Sequence, residues 1–397
     1  MSRSLLLSLL ALGVFTLAAC DSGGDDDDEV GDDDTSGDDD DDATDPLPAW
    51  LQEVETTVSI PCDGCATEHV LFTFGCGARE DLIAVDTEGQ VAWYQEVGAP
   101  MAGFTVTPAG SVLAIVEREE IVEWNLAGEE LMRLTKGSTP GFDRFVHHDV
   151  MRSSDGSTLA VTSRDWEDGN GYTWIMDGAM RFADGIAVES WDLLDIGIQP
   201  GPNHTEDTGY WNGRLVGQDW THGNAIDVDP SGAVLLSLTG IHTIVNVTQG
   251  PSLAWRLDGS GLESDLAVTA SAGGSPNFFG FHHVRSIPSG LALYDNRNPH
   301  NGCATAGTCQ DARYLEVALD QGGGQADITT ATGFGLDCPS QGSATLVGNA
   351  GNVLLSCSED QVLREVNSSG TPVWELAISC AVGEDRGPIY RALPIDL

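Results

Sequence analysis

The stretch Ala225-Ile-Asp-Val-Asp-Pro-Ser-Gly-Ala-Val-Leu-Leu-Ser237 decides the fold, because an Asp-Pro-Ser-Gly turn joins two short apolar segments. It is followed by Thr243-Ile-Val-Asn-Val247 and Leu253-Ala-Trp-Arg-Leu257, which are again short and lie between polar or Gly-containing turns. Segments of this length, rich in β-branched and aromatic residues, predict β-strands. The whole stretch therefore predicts one unit of four antiparallel strands.

Similar units recur along the chain, and almost no long segment has the 3.6-residue period of a helix. We count six, near residues 68–98, 101–135, 144–196, 219–258, 279–332 and 342–380. Repeated four-stranded units are typical of β-propellers, which protect sheet edges by closing a ring of blades. We therefore predict an all-β, six-bladed β-propeller over residues 48–397. The tail Ile389-Tyr-Arg-Ala-Leu-Pro-Ile395 is expected to add a strand to blade one and close the ring.

Five of the nine histidines fall at one point of the repeat. Three lie eight, eight and ten residues before a turn glycine: His148 before Gly156, His282 before Gly290 and His222 before Gly232. His147 and His283 adjoin the first two. Side chains alternate faces along a strand, so even offsets predict one shared face. Since the first strand of each blade lines the propeller channel, we expect these imidazoles to meet at one channel mouth.

The N-terminal segment is predicted to be a targeting signal outside the fold. Residues 1–19 contain Arg3 and a short apolar region, and they lead into Leu17-Ala-Ala-Cys20, which resembles a bacterial lipobox. This pattern predicts cleavage before Cys20 and a lipid on its sulfur. The composition of residues 20–47 predicts an acidic, disordered tether. We therefore expect an extracytoplasmic protein that is anchored to a bacterial membrane through the lipid on Cys20.

The charge of the chain excludes some partners. The formal net charge is −45, and fifteen of the 62 acidic residues lie in the tether. A strongly negative surface repels phosphate groups, so we expect no nucleic-acid partner.

Eight cysteines remain besides Cys20, and an even number in an exported chain favours disulfides. Cys303 and Cys309 are the expected local pair, because they close one loop. Cys62 and Cys65, with His69 and Cys76 nearby, also fit a zinc site, but a disulfide is the favoured interpretation because the expected compartment is oxidising.

Four motifs together resemble the bacterial arylsulfotransferase family over about residues 80–395. They are Phe145-Val-His-His-Asp-Val150, Thr221-His-Gly-Asn-Ala-Ile-Asp-Val-Asp-Pro-Ser-Gly232, Phe281-His-His-Val-Arg-Ser-Ile-Pro-Ser-Gly-Leu-Ala-Leu-Tyr-Asp-Asn296 and Glu365-Val-Asn-Ser-Ser-Gly-Thr-Pro-Val-Trp-Glu375. The resemblance implies transfer of a sulfuryl group from an aryl sulfate to a phenol, without a nucleotide donor and with no cofactor. It also implies a transiently sulfated histidine at His282. His148, His222 and Asn224 match the other active-site positions, and we expect them to donate hydrogen bonds to the sulfuryl oxygens or to protonate the phenolate leaving group.

The chain departs from the family pattern beside these residues. Phe281 and His283 flank His282, where the family usually has Gln before the histidine and often has Asp after it. More seriously, the family has an Arg in a Ser-Ser-Arg run after the His-x-Asn motif, whereas this chain has Ser237-Leu-Thr239. Arg285 or Arg297 is the expected substitute for the cation that holds the sulfuryl oxygens.

Further side chains are predicted to support the site. His147 and His283 are expected to be substrate-binding residues, together with Asn224, Arg285 and Arg297. Asp149 and Asp295 are expected to orient imidazoles, as carboxylate–histidine pairs do.

Three alternatives remain open at this point. Thr239 favours a non-catalytic propeller lipoprotein that binds a small ligand or a protein. His148, His222 and His282 would also suit zinc or copper as a three-histidine site. A quinone-dependent dehydrogenase on a Trp-repeat propeller is weaker, because the tryptophans are few and irregular and the histidines have no role in it.

Overall fold

The computed structural model describes residues 47–76, 79–200, 210–261, 263–297, 311–381 and 389–397. Within these residues the strands form six sheets, each with a core of four antiparallel strands. The prediction of an all-β, six-bladed propeller is confirmed. The predicted signal peptide, the lipidated Cys20 and nearly all of the tether lie outside the described residues, as does the Cys303–Cys309 pair.

The strands follow the chain order of the blades. The segment before the ring forms a 3₁₀ turn (Leu51–Glu53) and β1 (Val54–Ile60). The strands of blades one to three are β2 (His69–Phe74), β3 (Asp81–Asp86) and β4 (Val91–Gln95); β5 (Met101–Val106), β6 (Val112–Val116), β7 (Glu120–Trp124) and β8 (Glu130–Thr135); and β9 (Phe145–Arg152), β10 (Thr158–Glu167), β11 (Thr173–Ala183) and β12 (Ile186–Asp192), with β13 (Gln218–Asp219) added to β11.

The strands of blades four to six are β14 (Gly223–Val228), β15 (Val234–Leu238), β16 (Thr243–Thr248) and β17 (Ser252–Asp258), with a 3₁₀ turn at Thr239–Ile241; β18 (Ala267–Thr269), β19 (His282–Ile287), β20 (Gly290–Asp295), β21 (Arg313–Asp320) and β22 (Gln325–Gly333); and β23 (Ser343–Val347), β24 (Asn352–Cys357), β25 (Val362–Val366) and β26 (Pro372–Cys380). The last strand is β27 (Ala392–Pro394). These boundaries agree with the six units predicted from the sequence.

The inner strands of neighbouring blades contact one another around the axis, as β9 does with β5 and β14, and β14 does with β19. Blade one takes its inner strand from the C-terminus, because β27 pairs with β2. The predicted closing strand is thus confirmed. At the other end of the chain, β1 pairs with β26 and becomes the outermost strand of blade six.

The apolar core lies between the blades. The second strands of blades two and four, Val112–Val116 and Val234–Leu238, are buried along their whole length because their two faces pack against neighbouring sheets. Outer strands such as β4 alternate instead between half-buried and exposed side chains. The apolar clusters therefore join successive blades and hold the inner strands in fixed positions around the axis.

Disulfides account for six of the predicted cysteines. Cys62 pairs with Cys65, Cys76 with Cys380 and Cys338 with Cys357. The disulfide prediction for Cys62 and Cys65 is therefore confirmed over the zinc alternative. The Cys76–Cys380 bond links blade one to blade six, where the ring closes. Helices long and apolar enough to cross a membrane do not occur in the described part of the chain.

Candidate functional site

The histidine strands are irregular at the point where the histidines occur. The β-ladder registers shift beside His148 in blade three, beyond His222 in blade four and between His282 and Arg285 in blade five. His148, His222 and His283 also adopt left-handed backbone conformations, with φ of 58°, 49° and 51°. Bulges break the alternation of side chains. The predicted equal parity is therefore wrong as a reason for convergence, and the bulges set the directions instead.

His148 and His222 lie in contact in spite of this irregularity. Their ring centroids are 4.7 Å apart, and Tyr210 stacks on His148 at 4.4 Å and lies 5.0 Å from His222. The backbone at His148 is approached so closely by Gly103 that a Cβ there would lie 2.1 Å from the His148 carbonyl oxygen. Only glycine allows this approach, so Gly103 helps to seat His148. Blades three and four thus form one wall with two imidazoles and an aromatic ring.

His282 is held through one ring nitrogen. Its Nδ1 lies 2.8 Å from Asn296 Oδ1 and 3.0 Å from the Gly280 carbonyl. The Asn296 amide is oriented because its Nδ2 donates to the carbonyls of Cys338 and Gln341. Both partners of Nδ1 are acceptors, so the network assigns the proton to Nδ1 and a lone pair to Nε2.

The surroundings of His282 also keep its ring neutral. The pKa of His282 is lowered to about 4, mainly by burial and also by charges on His222 and Arg391, while the hydrogen bonds to Asn296 and Gly280 act in the opposite direction. A charge on His282 in turn lowers the pKa of His148, so the blade-five imidazole is electrostatically coupled to the wall formed by blades three and four.

A chain of hydrogen bonds supports His148. The Ser163 hydroxyl donates to Asp177 and accepts from His147 Nε2 at 2.7 Å. His147 Nδ1 and His148 Nδ1 are 2.6 Å apart. Since His147 carries its proton on Nε2, its Nδ1 accepts from His148 Nδ1, and the lone pair of His148 is on Nε2. Burial and the nearby charge of His222 place the pKa of His148 well below its usual value.

His222 is paired with a carboxylate. Its Nδ1 lies 2.8 Å from Asp219 Oδ2, and its backbone N–H donates to Asp219 Oδ1. Both neighbours of His222 bind Asp177, since Thr221 Oγ1 and Gly223 N donate to it at 2.6 Å. Asp177 therefore supports the histidines of two blades.

Asn224 links blade four to blade five next to His282. Its Nδ2 donates to the Phe281 carbonyl at 2.8 Å, and its Oδ1 accepts from Ser237 Oγ at 2.8 Å. The side chain is fully buried. The structure thus places Asn224 against the backbone of Phe281, the residue before His282, with its carbonyl oxygen and one amide donor bonded to the protein.

Thr239 lies beside His222, as the sequence predicts. Its backbone N–H donates to the His222 carbonyl at 3.3 Å, in the turn that follows β15. The side chain is buried, and its hydroxyl has no hydrogen-bond partner within the described residues. The position expected for a sulfuryl-binding arginine is therefore at the site but carries no charge.

Asp149 binds arginines near the propeller axis. It accepts from Arg285 Nη1 at 2.7 Å, Arg391 Nη1 at 2.6 Å and the Ile226 N–H at 2.9 Å. Burial raises the pKa of Asp149, but the charges of Arg285 and Arg391 outweigh burial and leave the pKa lowered. The prediction that Asp149 orients an imidazole is wrong, because the two guanidinium groups occupy its oxygens.

Asp295 binds arginines in the same way. Arg313 Nε lies 2.8 Å and Arg297 Nε 3.6 Å from Asp295 Oδ2. The predicted imidazole-orienting role of Asp295 is therefore also wrong. His283 turns toward blade six, where its Nδ1 lies 3.0 Å from the Ala344 carbonyl.

The three-histidine metal hypothesis finds no support in the geometry. Across the described ranges, no group of three or more His, Cys, Asp or Glu side chains has the arrangement of a metal site.

Comparison with known proteins identifies the family. The family model described as "Arylsulfotransferase (ASST)" matches residues 72–369, which is most of the ring. The chain belongs to the arylsulfotransferase family. The search of curated proteins gave no match to this family member.

Solved structures resemble this arylsulfotransferase-family chain in fold alone. A protein of unknown function from Bacteroides caccae has a TM-score of 0.50 at 12% identity, covering 83% of this chain and 99% of its own. An inactive variant of virginiamycin B lyase from Staphylococcus aureus, solved with quinupristin, has a TM-score of 0.42 at 9% identity, covering 80% and 87%.

Several residues of this arylsulfotransferase-like site were missed in the sequence. Asn296 had a signal, since it follows the Tyr-Asp pair that ends β20, and Asp219 lies three residues before His222. Others lie far from the motifs along the chain and come close only in the fold; these are Arg118, Ser163, Asp177, Tyr210 and Tyr390.

Proposed function

We propose that this protein transfers a sulfuryl group from an aryl sulfate to a phenol, with His282 as the nucleophile. The observation that carries the proposal is the state of the His282 ring, whose Nδ1–H is held by Asn296 and Gly280. Within the described residues no group bonds to Nε2, and a pKa of about 4 keeps the ring neutral near pH 7. A neutral imidazole with a defined lone pair is a competent nucleophile.

In the first half-reaction, His282 Nε2 attacks sulfur. The bond between sulfur and the aryl oxygen breaks, and its electrons leave with the phenolate. We assign the proton that the phenolate needs to His222, because Asp219 stabilises the protonated imidazole. The sulfated His282 keeps its Nδ1–H on Asn296.

In the second half-reaction, the acceptor phenol returns a proton to His222 as its oxygen attacks sulfur. The sulfur–nitrogen bond breaks, and its electrons return to His282 Nε2. Before that step, the lone pair on His148 Nε2 can accept a hydrogen bond from the hydroxyl of the entering phenol, whose single proton then passes to His222. Tyr210 and Tyr390, with ring centroids 4.4 and 5.7 Å from that of His148, offer aromatic surfaces to the aryl groups.

The roles differ from those implied by the family resemblance. His148 becomes an acceptor instead of a donor to the sulfuryl oxygens. Asn224, His147 and His283 become positioning residues, because each is bonded to other protein groups.

The experiment uses para-nitrophenyl sulfate with phenol as acceptor. We expect release of nitrophenol, formation of phenyl sulfate and, without acceptor, a mass increase of one sulfuryl group on the peptide that contains His282. His282→Asn should lose all three signals, while the matched change His69→Asn, in the second strand of blade one, should keep them. Equal rates of nitrophenol release by the wild type and His282→Asn would contradict the proposal.

A second candidate function is a non-catalytic propeller that binds a small ligand. The uncharged Thr239 beside His222 favours it, since a sulfuryl group needs positive charge around it. Binding of aryl sulfate without any turnover or labelling of His282 would select this function.

We also propose that the propeller works outside the cytoplasm, tethered to a membrane through Cys20. The described disulfides support an oxidising compartment. Metabolic labelling with a fatty-acid analogue should mark the wild type and not Cys20→Ser. An unlabelled wild type would contradict the tether.

A further inference from the structure

Sulfuryl transfer requires a cation near three charged oxygens, and the arginines near the axis are already engaged. Arg285 and Arg391 are bound to Asp149. Arg297 and Arg313 lie against Asp295. Arg285 and Arg297, the two arginines predicted from the sequence to hold the sulfuryl oxygens, therefore each already contact a buried carboxylate of the protein.

Blades two and four have a corresponding turn at the mouth of the site. Thr239 follows β15, the second strand of blade four, in the turn that leads to the third strand. In blade two the turn between β6 and β7 contains Glu117 and Arg118, with φ of 55° and 61°. Two successive left-handed residues make a tight hairpin turn, which fixes where the Arg118 side chain starts.

Arg118 reaches the histidines from this turn. Its guanidinium carbon lies 4.3 Å above the centroid of the Tyr210 ring, and Tyr210 stacks on His148. The charge of Arg118 is among those that lower the pKa of His148. Its backbone carbonyl accepts from Val146, the residue before the histidine pair. The blade-two turn is therefore attached to the strand that carries His148.

Arg118 differs from the arginines near the axis because it is not ion-paired with a described carboxylate. Among the described residues it forms no ion pair with a carboxylate within 4 Å, and its Nε is buried without a hydrogen-bond partner. A buried guanidinium N–H without an acceptor is costly. An anionic oxygen at this place would satisfy it and would meet a positive charge that interacts with Glu80 but contacts no described carboxylate within 4 Å.

The geometry points to Arg118 as the cation that binds the sulfuryl oxygens of the aryl sulfate, displaced from the blade-four turn at Thr239 to the corresponding turn of blade two. This inference rests on the proposed function for its substrate class. In this role Arg118 supplies the cation that the site needs. Arg118 then binds the charged sulfate donor, while His282 carries out the chemistry.

The test measures binding in a background that cannot turn over. In His282→Asn protein, para-nitrophenyl sulfate and neutral para-nitrophenol are titrated while tyrosine and tryptophan fluorescence is followed. Arg118→Gln should weaken binding of the sulfate about 10- to 100-fold, the range that a charge-assisted hydrogen bond supplies. Arg118→Lys should be intermediate, and binding of para-nitrophenol should change little. The matched control Arg133→Gln removes an arginine from the outer strand of the same blade, where it pairs with Glu120 and Glu130.

The outcomes separate the two proposals. In active protein, Arg118→Gln should raise KM for the sulfate more than it lowers kcat. Equal affinities of the Arg118→Gln and parent proteins for the sulfate would overturn the role of Arg118, as would no binding of the sulfate by the parent. Equal weakening for sulfate and nitrophenol would also overturn it, because it would indicate only a support for Tyr210. Charge-selective binding without turnover would uphold Arg118 while the transferase proposal fails.

Discussion

The inner strands of blades three and five carry the same pair of residues in different surroundings. In blade three, His148 is hydrogen-bonded through His147 and Ser163 to a carboxylate, Asp177. In blade five, His282 is hydrogen-bonded to an amide and a carbonyl, and its neighbour His283 points to blade six. Only the second histidine of each pair has a left-handed backbone.

The difference teaches that the partner of the ring, more than the motif, decides what a histidine can do. A carboxylate stabilises a protonated imidazole, whereas a neutral amide fixes the tautomer with much less effect on basicity. Asn296 therefore suits a nucleophile that must stay neutral. Carboxylates stand behind His148 and His222, the histidines proposed to exchange hydrogen bonds or protons with the phenol.

The largest expected effect comes from exchanging the two histidines for asparagine in turn. His282→Asn should lower kcat/KM by about 10⁴-fold or more, because it removes the group that forms the covalent bond. His148→Asn should lower it by about 10²- to 10³-fold, as expected for a group that assists proton movement. Peptide mass spectrometry of donor-treated protein checks the distinction. The His148→Asn variant should still become sulfated on His282. If it is not labelled, both histidines are required for sulfation and the proposed difference between the two strands is wrong.

The sequence predicted the ring, the blades and the histidine positions, because turn glycines and apolar strands are local signals. The prediction that even offsets place the histidines on one face was wrong. The strands contain bulges, and a bulge depends on how two strands pair, so the sequence of one strand does not reveal it. The sequence also misassigned Asp149 and Asp295, whose arginine partners Arg391 and Arg313 lie 242 and 18 residues away. Proximity in the chain suggested imidazole partners, whereas closure of the ring brought Arg391 to Asp149 and the pairing of β20 with β21 brought Arg313 to Asp295.

The two histidine strands are joined to each other across blade four. Asp149 follows His148, Arg285 lies two residues after His283, and these two side chains are bonded together with Arg391. Asp149→Asn should lower the free energy of unfolding by about 3–5 kcal/mol, since it leaves two guanidinium groups without their buried counter-charge. Urea unfolding checks this value. Asp155→Asn, at an exposed carboxylate 3.4 Å from Arg181, should cost less than about 1 kcal/mol. Similar losses of unfolding free energy in both variants would show that Asp149 contributes no more to stability than an exposed carboxylate does.

Replacing the amide behind His282 by a carboxylate should make blade five resemble blade three. In the wild type, kcat/KM should fall as the pH drops through about 4, where His282 gains a proton and loses its lone pair. Asn296→Asp should raise the pKa of His282 and move this acidic limb to higher pH, so that activity near pH 5 falls about tenfold. Profiles of kcat/KM against pH check the shift. The control Asn367→Asp, in an exposed turn of blade six, should leave the limb in place. An unmoved limb in Asn296→Asp would mean that another group controls the acidic side.

The smallest effect should come from cutting the hydrogen-bond chain behind His148. Ser163→Ala removes the hydroxyl between Asp177 and His147, so the tautomers of both blade-three histidines are no longer fixed. We expect kcat to fall about three- to tenfold with little change in KM, because His148 keeps its place against Tyr210 but loses its assigned proton. The matched control is Thr162→Val on the same strand, whose buried hydroxyl has no partner within the described residues. If Thr162→Val lowers kcat equally, the loss reflects packing of β10. If only Ser163→Ala does, the Asp177 carboxylate acts on His148 through the side chains of Ser163 and His147, a connection that is absent from the described residues of blade five.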